Sequence, residues 1–314
     1  MAQQLFLDAN IFLSFFQSSK DDLVELAKVV KLIGDEEIIL YSNDQLRREV
    51  DRNRENKIAT GFNEFKNANF GKEFPHYCND YSELEEIRSH LKEANKIHAK
   101  LVTKINTDIE NRSLGADKLI AGLFELAEDL PITAEIMEKV HFRVASGDPP
   151  GKRNSIGDAI HWQCLLDQTK SGNLDLVTLD GDFTSPLKSG QISDFLSLEW
   201  SNSRKWGAVT LHNSLSNFFK ARFPQINLST EFKKDELVRR LINSPNFSET
   251  HQVISELMEF EHFTKGQIRQ IFSALLDNNQ VRWIAMDCDV QDFFKKFSNS
   301  TGHLGSGPIN MLLI

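Results

Sequence analysis

Hydrophobic positions in the first two thirds of the chain form two alternating patterns. Short continuous apolar runs predict buried strands at residues 5–7, 37–41, 174–179 and 206–211. Apolar residues at three- and four-residue intervals predict helices between these runs, including 21–32 and a long helix at 82–111. Strands that alternate with helices favour an α/β fold with a mainly parallel sheet.

The pattern changes after residue 224, where the predicted strands stop. Helical spacing there predicts helices at 235–242, 249–260, 264–276 and 289–297. We therefore predict two units: an α/β domain over residues 1–224 and a small α-helical C-terminal module over residues 225–314. The first unit contains a helical insertion, at about residues 60–145, that we expect to pack beside the sheet.

Polar residues at the predicted helix starts indicate where the helices begin. Three capping boxes are predicted, beginning at Ser42, Ser82 and Thr264, since each is followed three residues later by Glu or Gln. Ser155 is predicted to cap a helix that carries Asp158. The Gly/Pro-rich residues just before Ser155 are predicted to form a loop.

Composition narrows the class of protein. The 314 residues are 40% hydrophobic and 26% charged, as in ordinary globular proteins, and the net charge of -9 argues against a generally basic nucleic-acid binder. Three widely spaced cysteines predict neither structural zinc nor a disulfide framework. Neither a signal peptide nor a bilayer-spanning apolar run is predicted. We therefore expect a cytoplasmic protein with no membrane contact.

Carboxylates follow the predicted strands at corresponding places. Asp8 ends the first strand, Glu49 lies on the helix after the second, and Asp158 opens the helix after the Gly/Pro loop. Asp180 and Asp182 follow the strand LDLVTL. Singly, each acid has an ordinary interpretation as a cap, a turn residue or a surface charge. Ligands of parallel α/β sheets bind beyond the carboxyl ends of the strands, and Mg²⁺ and Mn²⁺ prefer oxygen ligands, so the ordered set indicates a metal site.

Four segments resemble, in order, the acidic motifs of PIN-domain ribonucleases. They are LFLDANIF, the helix with Glu49, GDPPGKRNSIGDAI and LVTLDGDF, and the resemblance covers about residues 1–220. The long insertion is more similar to that of the larger bacterial PIN-like proteins than to the minimal toxin type. The resemblance implies a Rossmann-like α/β/α sandwich around a short, mainly parallel sheet. It also implies metal-dependent endoribonuclease activity on single-stranded RNA, leaving 5′-phosphate and 3′-hydroxyl ends.

The resemblance assigns roles to individual residues and names a cofactor. The positions that match the catalytic, metal-binding acids of the family are Asp8, Glu49, Asp158 and Asp180. Asp182 matches an accessory metal ligand. Asn10 matches a polar position that helps to hold the first acid. The implied cofactor is Mg²⁺ or Mn²⁺, and a homodimer and a toxin-like or defence role follow by analogy alone.

Basic residues beside these acids are candidates for binding substrate phosphates. Lys152 and Arg153 lie in the loop before Asp158, and Arg48 precedes Glu49. The other arginines of the Glu49 helix are interpreted as a solvated ion-pair face. His161 is interpreted as a packing residue. The helices of the C-terminal module are candidates for binding a protein partner.

Two other functions remain open at this stage. A PIN-fold binding or scaffold protein would keep the acids partly by descent and bind a partner through its C-terminal helices. A structure-specific DNA nuclease of the flap type would usually carry more acids and a helical DNA-binding motif. A haloacid-dehalogenase-type phosphatase is disfavoured because Asn10 stands where its second acid is needed. Dinucleotide-binding and Walker-type glycine spacings are absent from the sequence.

Overall fold

The computed structural model describes residues 2–17, 20–71, 73–151, 156–203 and 207–297. The predicted cap Ser155 and the candidate phosphate-binding residues Lys152 and Arg153 lie outside these ranges. No helix in the described ranges is both long and apolar enough to cross a membrane.

A parallel sheet is built from the predicted apolar runs and one additional short strand. Its strands are β1 (Gln3–Leu7), β2 (Ile38–Ser42), β3 (Glu128–Asp129), β4 (Leu174–Val177) and β5 (Val209–His212). They lie in the order β3-β2-β1-β4-β5, and each neighbouring pair is parallel. The chain winds outwards in one direction from β1 and in the other from β4, so the switch point lies between these strands. Ligand sites of such sheets form at the carboxyl edge of this point.

Nine helices of the described chain belong to this first part. They are α1 (Ala9–Ser14), α2 (Lys20–Gly34), α3 (Asp44–Lys66), α4 (Glu83–Glu110), α5 (Gly115–Leu126), α6 (Ala134–Ser146), α7 (Gly157–Gln168), α8 (Asp194–Asn202) and α9 (Leu215–Arg222). Helix α2 packs against α5 and α9, whereas α3 packs against α1 and α7. The central strands β1 and β4 are buried almost throughout, because helices cover the sheet. This is the predicted α/β fold.

The helical insertion differs from the prediction in its position. Helix α4 has a single buried residue, Leu84, and exposes the apolar side chains of Ile87, Ile97 and Leu101. It lies along the C-terminal half of α3, where His98 Nε2 is 2.8 Å from the carbonyl oxygen of Phe65. The expectation that this insertion packs beside the sheet is not met by α4, since its hydrogen bonds here are to α3.

Five helices follow at the C-terminal end: α10 (Leu228–Ile242), α11 (Phe247–Met258), α12 (Lys265–Asp277), α13 (Asn279–Trp283) and α14 (Cys288–Lys295). Their apolar side chains form a core of their own, separate from the core around the sheet. Thr264 and Gln267 form the predicted capping box.

The contacts between these C-terminal helices and the α/β part are mainly polar. Lys265 pairs with Glu37 at 2.7 Å, and Arg269 donates two hydrogen bonds to Glu36. The Gly266 N–H donates to the carbonyl oxygen of Asp35 at 3.1 Å, and a Cβ on Gly266 would lie 2.8 Å from the Asp35 Cα. Residues 35–37 directly precede β2, so α12 contacts the amino-terminal edge of the sheet, opposite the edge where the predicted acids lie.

Two of the three predicted capping boxes are wrong, although α4 does begin directly after Ser82. Asn43, not Ser42, caps α3 by accepting a hydrogen bond from the Leu46 N–H, and Gln45 instead contacts Glu49. Ser82 precedes α4 without a side-chain capping bond. In both cases the three-residue spacing predicts a capping bond but takes no account of the neighbouring side chains that compete for the same groups.

Candidate metal centre

Asp8 is fixed at the end of β1 by three hydrogen-bond donors. It caps α1 by accepting from the Ala9 N–H at 2.6 Å through Oδ1. Its Oδ2 accepts from Asn10 Nδ2 at 2.7 Å and from Thr178 Oγ1 at 2.6 Å. Asn10 is therefore placed as the supporting residue that the sequence predicts. The carboxylate is only 5% exposed, so these donors hold it in one orientation.

Three further acids come together beyond β4 and at the start of α7. One carboxylate oxygen from each of Asp158, Asp180 and Asp182 lies within 4.8 Å of the others. Asp180 caps a short 3₁₀ helix (Gly181–Phe183) and accepts from the Asp182 N–H at 2.8 Å. Asp158 lies in the first turn of α7. The strand end and the helix start converge because α7 precedes β4 through a short connection and runs back antiparallel to it.

Glu49 lies beside this cluster rather than in it. Its Oε1 accepts a hydrogen bond from Gln45 at 2.6 Å, and its Oε2 lies 3.2 Å from His161 Nε2. The α3–α7 contact at this point is close, because a Cβ on Gly157 would lie 2.1 Å from Glu49 Oε1. Glycine at position 157 therefore leaves the space that the Glu49 carboxylate occupies.

The electrostatics of these acids reflect burial and mutual repulsion. Burial, with the negative charges of Asp8 and Asp180, raises the pKa of Asp158 to about 7. Burial also raises the pKa of Asp8, against the hydrogen bond from Thr178. For Glu49, burial alone would raise the pKa, but the His161 hydrogen bond and charge outweigh it and lower the pKa. A site of crowded carboxylates fits a divalent cation, which would offset the repulsion.

Sequence reasoning missed three residues that shape this site. Thr178 connects Asp8 to the Asp180 loop, because its Oγ1 also accepts from the Asp180 N–H at 2.9 Å. His161 is buried and packs against Phe6 as predicted, but it also contacts Glu49. Gly157 provides the space for Glu49. Two features of the sequence could have indicated these residues: the polar Thr178 within the apolar run LVTLD, and the glycine directly before Asp158.

The basic candidates are only partly placed. Arg48 is exposed on α3 next to Glu49. Its neighbour Arg47 donates to the carbonyl oxygen of Phe124 and packs over that ring, which is a structural role. Arg54, interpreted from sequence as part of a solvated face, is instead 7% exposed and forms a two-bond ion pair with Asp117.

A parallel α/β fold with carboxylates gathered at the carboxyl edge of its switch point defines a protein with a candidate site for a divalent cation. A family model described as "PIN domain" matches residues 5–183, more than half of the chain. This chain belongs to the PIN-domain family, whose members are metal-dependent nucleases. Searches of curated proteins and of solved structures each gave no match.

Proposed function

We propose that this chain is a Mg²⁺- or Mn²⁺-dependent endoribonuclease that hydrolyses phosphodiester bonds in single-stranded RNA. The observation that carries the proposal is the convergence of Asp158, Asp180 and Asp182 within 4.8 Å, beside the fixed carboxylate of Asp8. Membership of a nuclease family supports hydrolysis of nucleic acid. The preference for RNA rests on the resemblance of the four motifs.

In this proposal Asp158, Asp180 and Asp182 hold the cation, with Asp8 completing the site. A divalent cation bound there supplies charge neutralisation at the phosphate and lowers the pKa of a coordinated water. Asp8 contributes a carboxylate whose two oxygens are held in place by three donors, so little reorganisation is needed when substrate binds. Glu49 remains ionised beside His161 and orients the attacking water or holds a second cation.

Substrate phosphates require positive charge near these acids. We assign this role to the exposed Arg48 and to Lys152 and Arg153, which precede Asp158 in the sequence. The homodimer, a protein partner on residues 225–314, a defence role and the cytoplasmic location remain predictions. Sedimentation of the purified chain over a concentration series would test the first of these.

The decisive experiment compares cleavage of a single-stranded RNA with cleavage of the DNA of the same sequence. Each is incubated with Mg²⁺, Mn²⁺ or EDTA, using the wild type, Asp8→Asn and the control Asp292→Asn, whose side chain is exposed on α14. We expect RNA cleavage with either metal by the wild type and the control, and none by Asp8→Asn. Cleavage of DNA alone would indicate the flap-type nuclease. A folded wild type that cuts neither would favour a binding protein.

A further inference from the structure

Helix α4 carries a regular row of basic residues outside the candidate metal centre. The row consists of Arg88, Lys92, Lys96, Lys100 and Lys104, which repeat every fourth residue. All five side chains are exposed. Between residues 87 and 107 the helix contains one acid, Glu93. This stretch is therefore locally positive, although the net charge of the chain is -9 and further acids lie at both ends of α4.

Basic rows on exposed helices often belong to ion-pair surfaces, and part of this row does. Arg88 pairs with Glu85 at 2.7 Å, and Lys96 pairs with Glu93 at 3.4 Å. Among the residues that the structure describes, no carboxylate lies within 4.0 Å of Lys92, Lys100 or Lys104. The row therefore keeps a surplus of positive charge that is available to a polyanion.

The amino-terminal half of the row lines a groove. The chain before α4 runs back along the helix, since the Phe70 N–H donates to Asn95 Oδ1 and Arg88 donates to Asn79 Oδ1, each at 3.2 Å. The groove has a volume of about 570 Å³ and combines basic with apolar lining: Arg88, Lys92, Lys96, Phe74 and Leu91.

Exposed aromatic rings lie at the same end of the helix. Tyr77 and Tyr81, directly before α4, are 70% and 65% exposed. Sites for single-stranded nucleic acid combine positive charge along the backbone with aromatic rings on which bases stack. A double-stranded ligand would not offer unpaired bases to these rings. The combination therefore favours a single strand.

The row is connected to the metal centre through α3. Arg54 of α3 donates to the carbonyl oxygen of Ile109, and the carbonyl oxygen of Phe65 contacts His98, so the two helices run antiparallel in a constant register. At 1.5 Å per residue, Lys104 lies about 15 Å along α3 from Glu49, and Arg88 lies about 39 Å away. Successive basic residues are about 6 Å apart along the axis. The row thus leads away from the acids.

We propose that the basic row of α4 binds the backbone of the single-stranded RNA substrate on one side of the cleavage site, with Tyr77 and Tyr81 stacking its bases at the far end. This inference rests on the proposed function, because it takes the acids as the site of cleavage. Binding by the row would make the enzyme prefer long, unpaired RNA, since a dinucleotide at the acids cannot reach the row.

The test measures binding separately from cleavage. Affinity for a long single-stranded RNA is measured in EDTA over a salt series, in full-length protein carrying Asp8→Asn. The first version keeps the row intact. The second has Lys92, Lys96 and Lys100 changed to Ala. The third, a control, has the exposed residues Lys220, Lys233 and Lys295 changed to Ala. A fourth version has Arg at the three row positions. Thermal unfolding confirms that each version is folded.

We expect the row-to-Ala version to bind about tenfold or more weakly, and the slope of log K against log salt to fall by about 2, since each lost phosphate contact contributes about 0.7. The Arg version and the control should retain both affinity and slope. Equal affinity and slope in the row and control versions would overturn the inference. If the row-to-Ala version binds RNA more weakly but the wild type cuts no RNA, the proposed function fails while RNA binding by the row stands.

Discussion

Thr178 donates a hydrogen bond from Oγ1 to Oδ2 of Asp8 at 2.6 Å, across the boundary between β4 and β1. The same oxygen accepts the Asp180 N–H at 2.9 Å. One hydroxyl group thus orients the acid at the end of β1 and the loop that presents the acids after β4. The relative position of the candidate ligands depends on it.

Thr178→Val removes this hydroxyl while keeping the shape of the side chain. We expect a loss of about 1–3 kcal/mol in the free energy of unfolding, because a buried carboxylate and a backbone N–H each lose a partner. RNA cleavage should fall at least tenfold. Urea denaturation and a cleavage assay measure the two effects. Thr178→Ser, which keeps the hydroxyl, should retain most of both, and a fully active Val variant would contradict this role.

Gly157→Ala tests the position of Glu49. The added Cβ would lie 2.1 Å from Glu49 Oε1, so the flexible Glu49 side chain must move. We expect cleavage to fall at least tenfold while the protein stays folded, because alanine favours the helix by up to about 1 kcal/mol.

The matched control for this substitution is Gly61→Ala, also within a helix, where nothing lies within 4 Å of the added Cβ. It should keep full activity and gain a little stability. Thermal unfolding and cleavage assays on both variants separate displacement of Glu49 from a general effect of alanine. Equal activities would show that the position of Glu49 does not matter.

The pKa of Asp158 predicts how the stability of the metal-free protein depends on pH. The pKa rises from 3.8 to about 7 on folding, so the folded state binds this proton more tightly than the unfolded state. The contribution to stability is complete below about pH 4 and is lost as the pH rises towards 7. We expect a loss of about 2 kcal/mol between about pH 5 and pH 8, relative to Asp158→Asn. Urea titrations in EDTA at both pH values measure it, and parallel curves would contradict the shift.

Divalent cations should stabilise the fold by binding the native acids. At a free concentration of about a hundred times the dissociation constant, the gain is about 2.7 kcal/mol. We expect Mn²⁺ to raise the melting temperature of the wild type at pH 8, and EDTA to reverse the rise. Asp180→Asn should abolish the effect, whereas the exposed change Asp292→Asn should not. A rise of equal size in both variants would place the ion elsewhere.

The sequence predicted the sheet, and the placement of the acids at its carboxyl edge, because both depend on local patterns. The apolar runs of β1 and β4 are buried on both faces, so their composition alone identifies them. Asp8 follows β1 directly and Asp180 lies three residues after β4, and the parallel pairing brings the strand ends together. Glu49 and Asp158 were identified from the order of the family's motifs, because an acid on a helix is less distinctive than an acid at the end of a buried strand.

What the sequence did not predict depends on contacts between distant residues. The Glu49–His161 pair is 112 residues apart, and Gly157 matters only because α3 and α7 are in contact. Strand β3 has only two residues, too few to form an apolar pattern. The exposure of α4 could not be predicted, because its apolar spacing is also typical of a packed helix.

The two-residue edge strand β3 limits how copies of this protein can associate. Both of its residues, Glu128 and Asp129, are acidic and exposed. Edge strands that are long and apolar invite another chain to extend the sheet, whereas a short, charged edge repels it. A continuous intermolecular sheet is therefore disfavoured along this border, and any self-association that buries surface there must use helices instead. The same feature protects the protein against ordered aggregation.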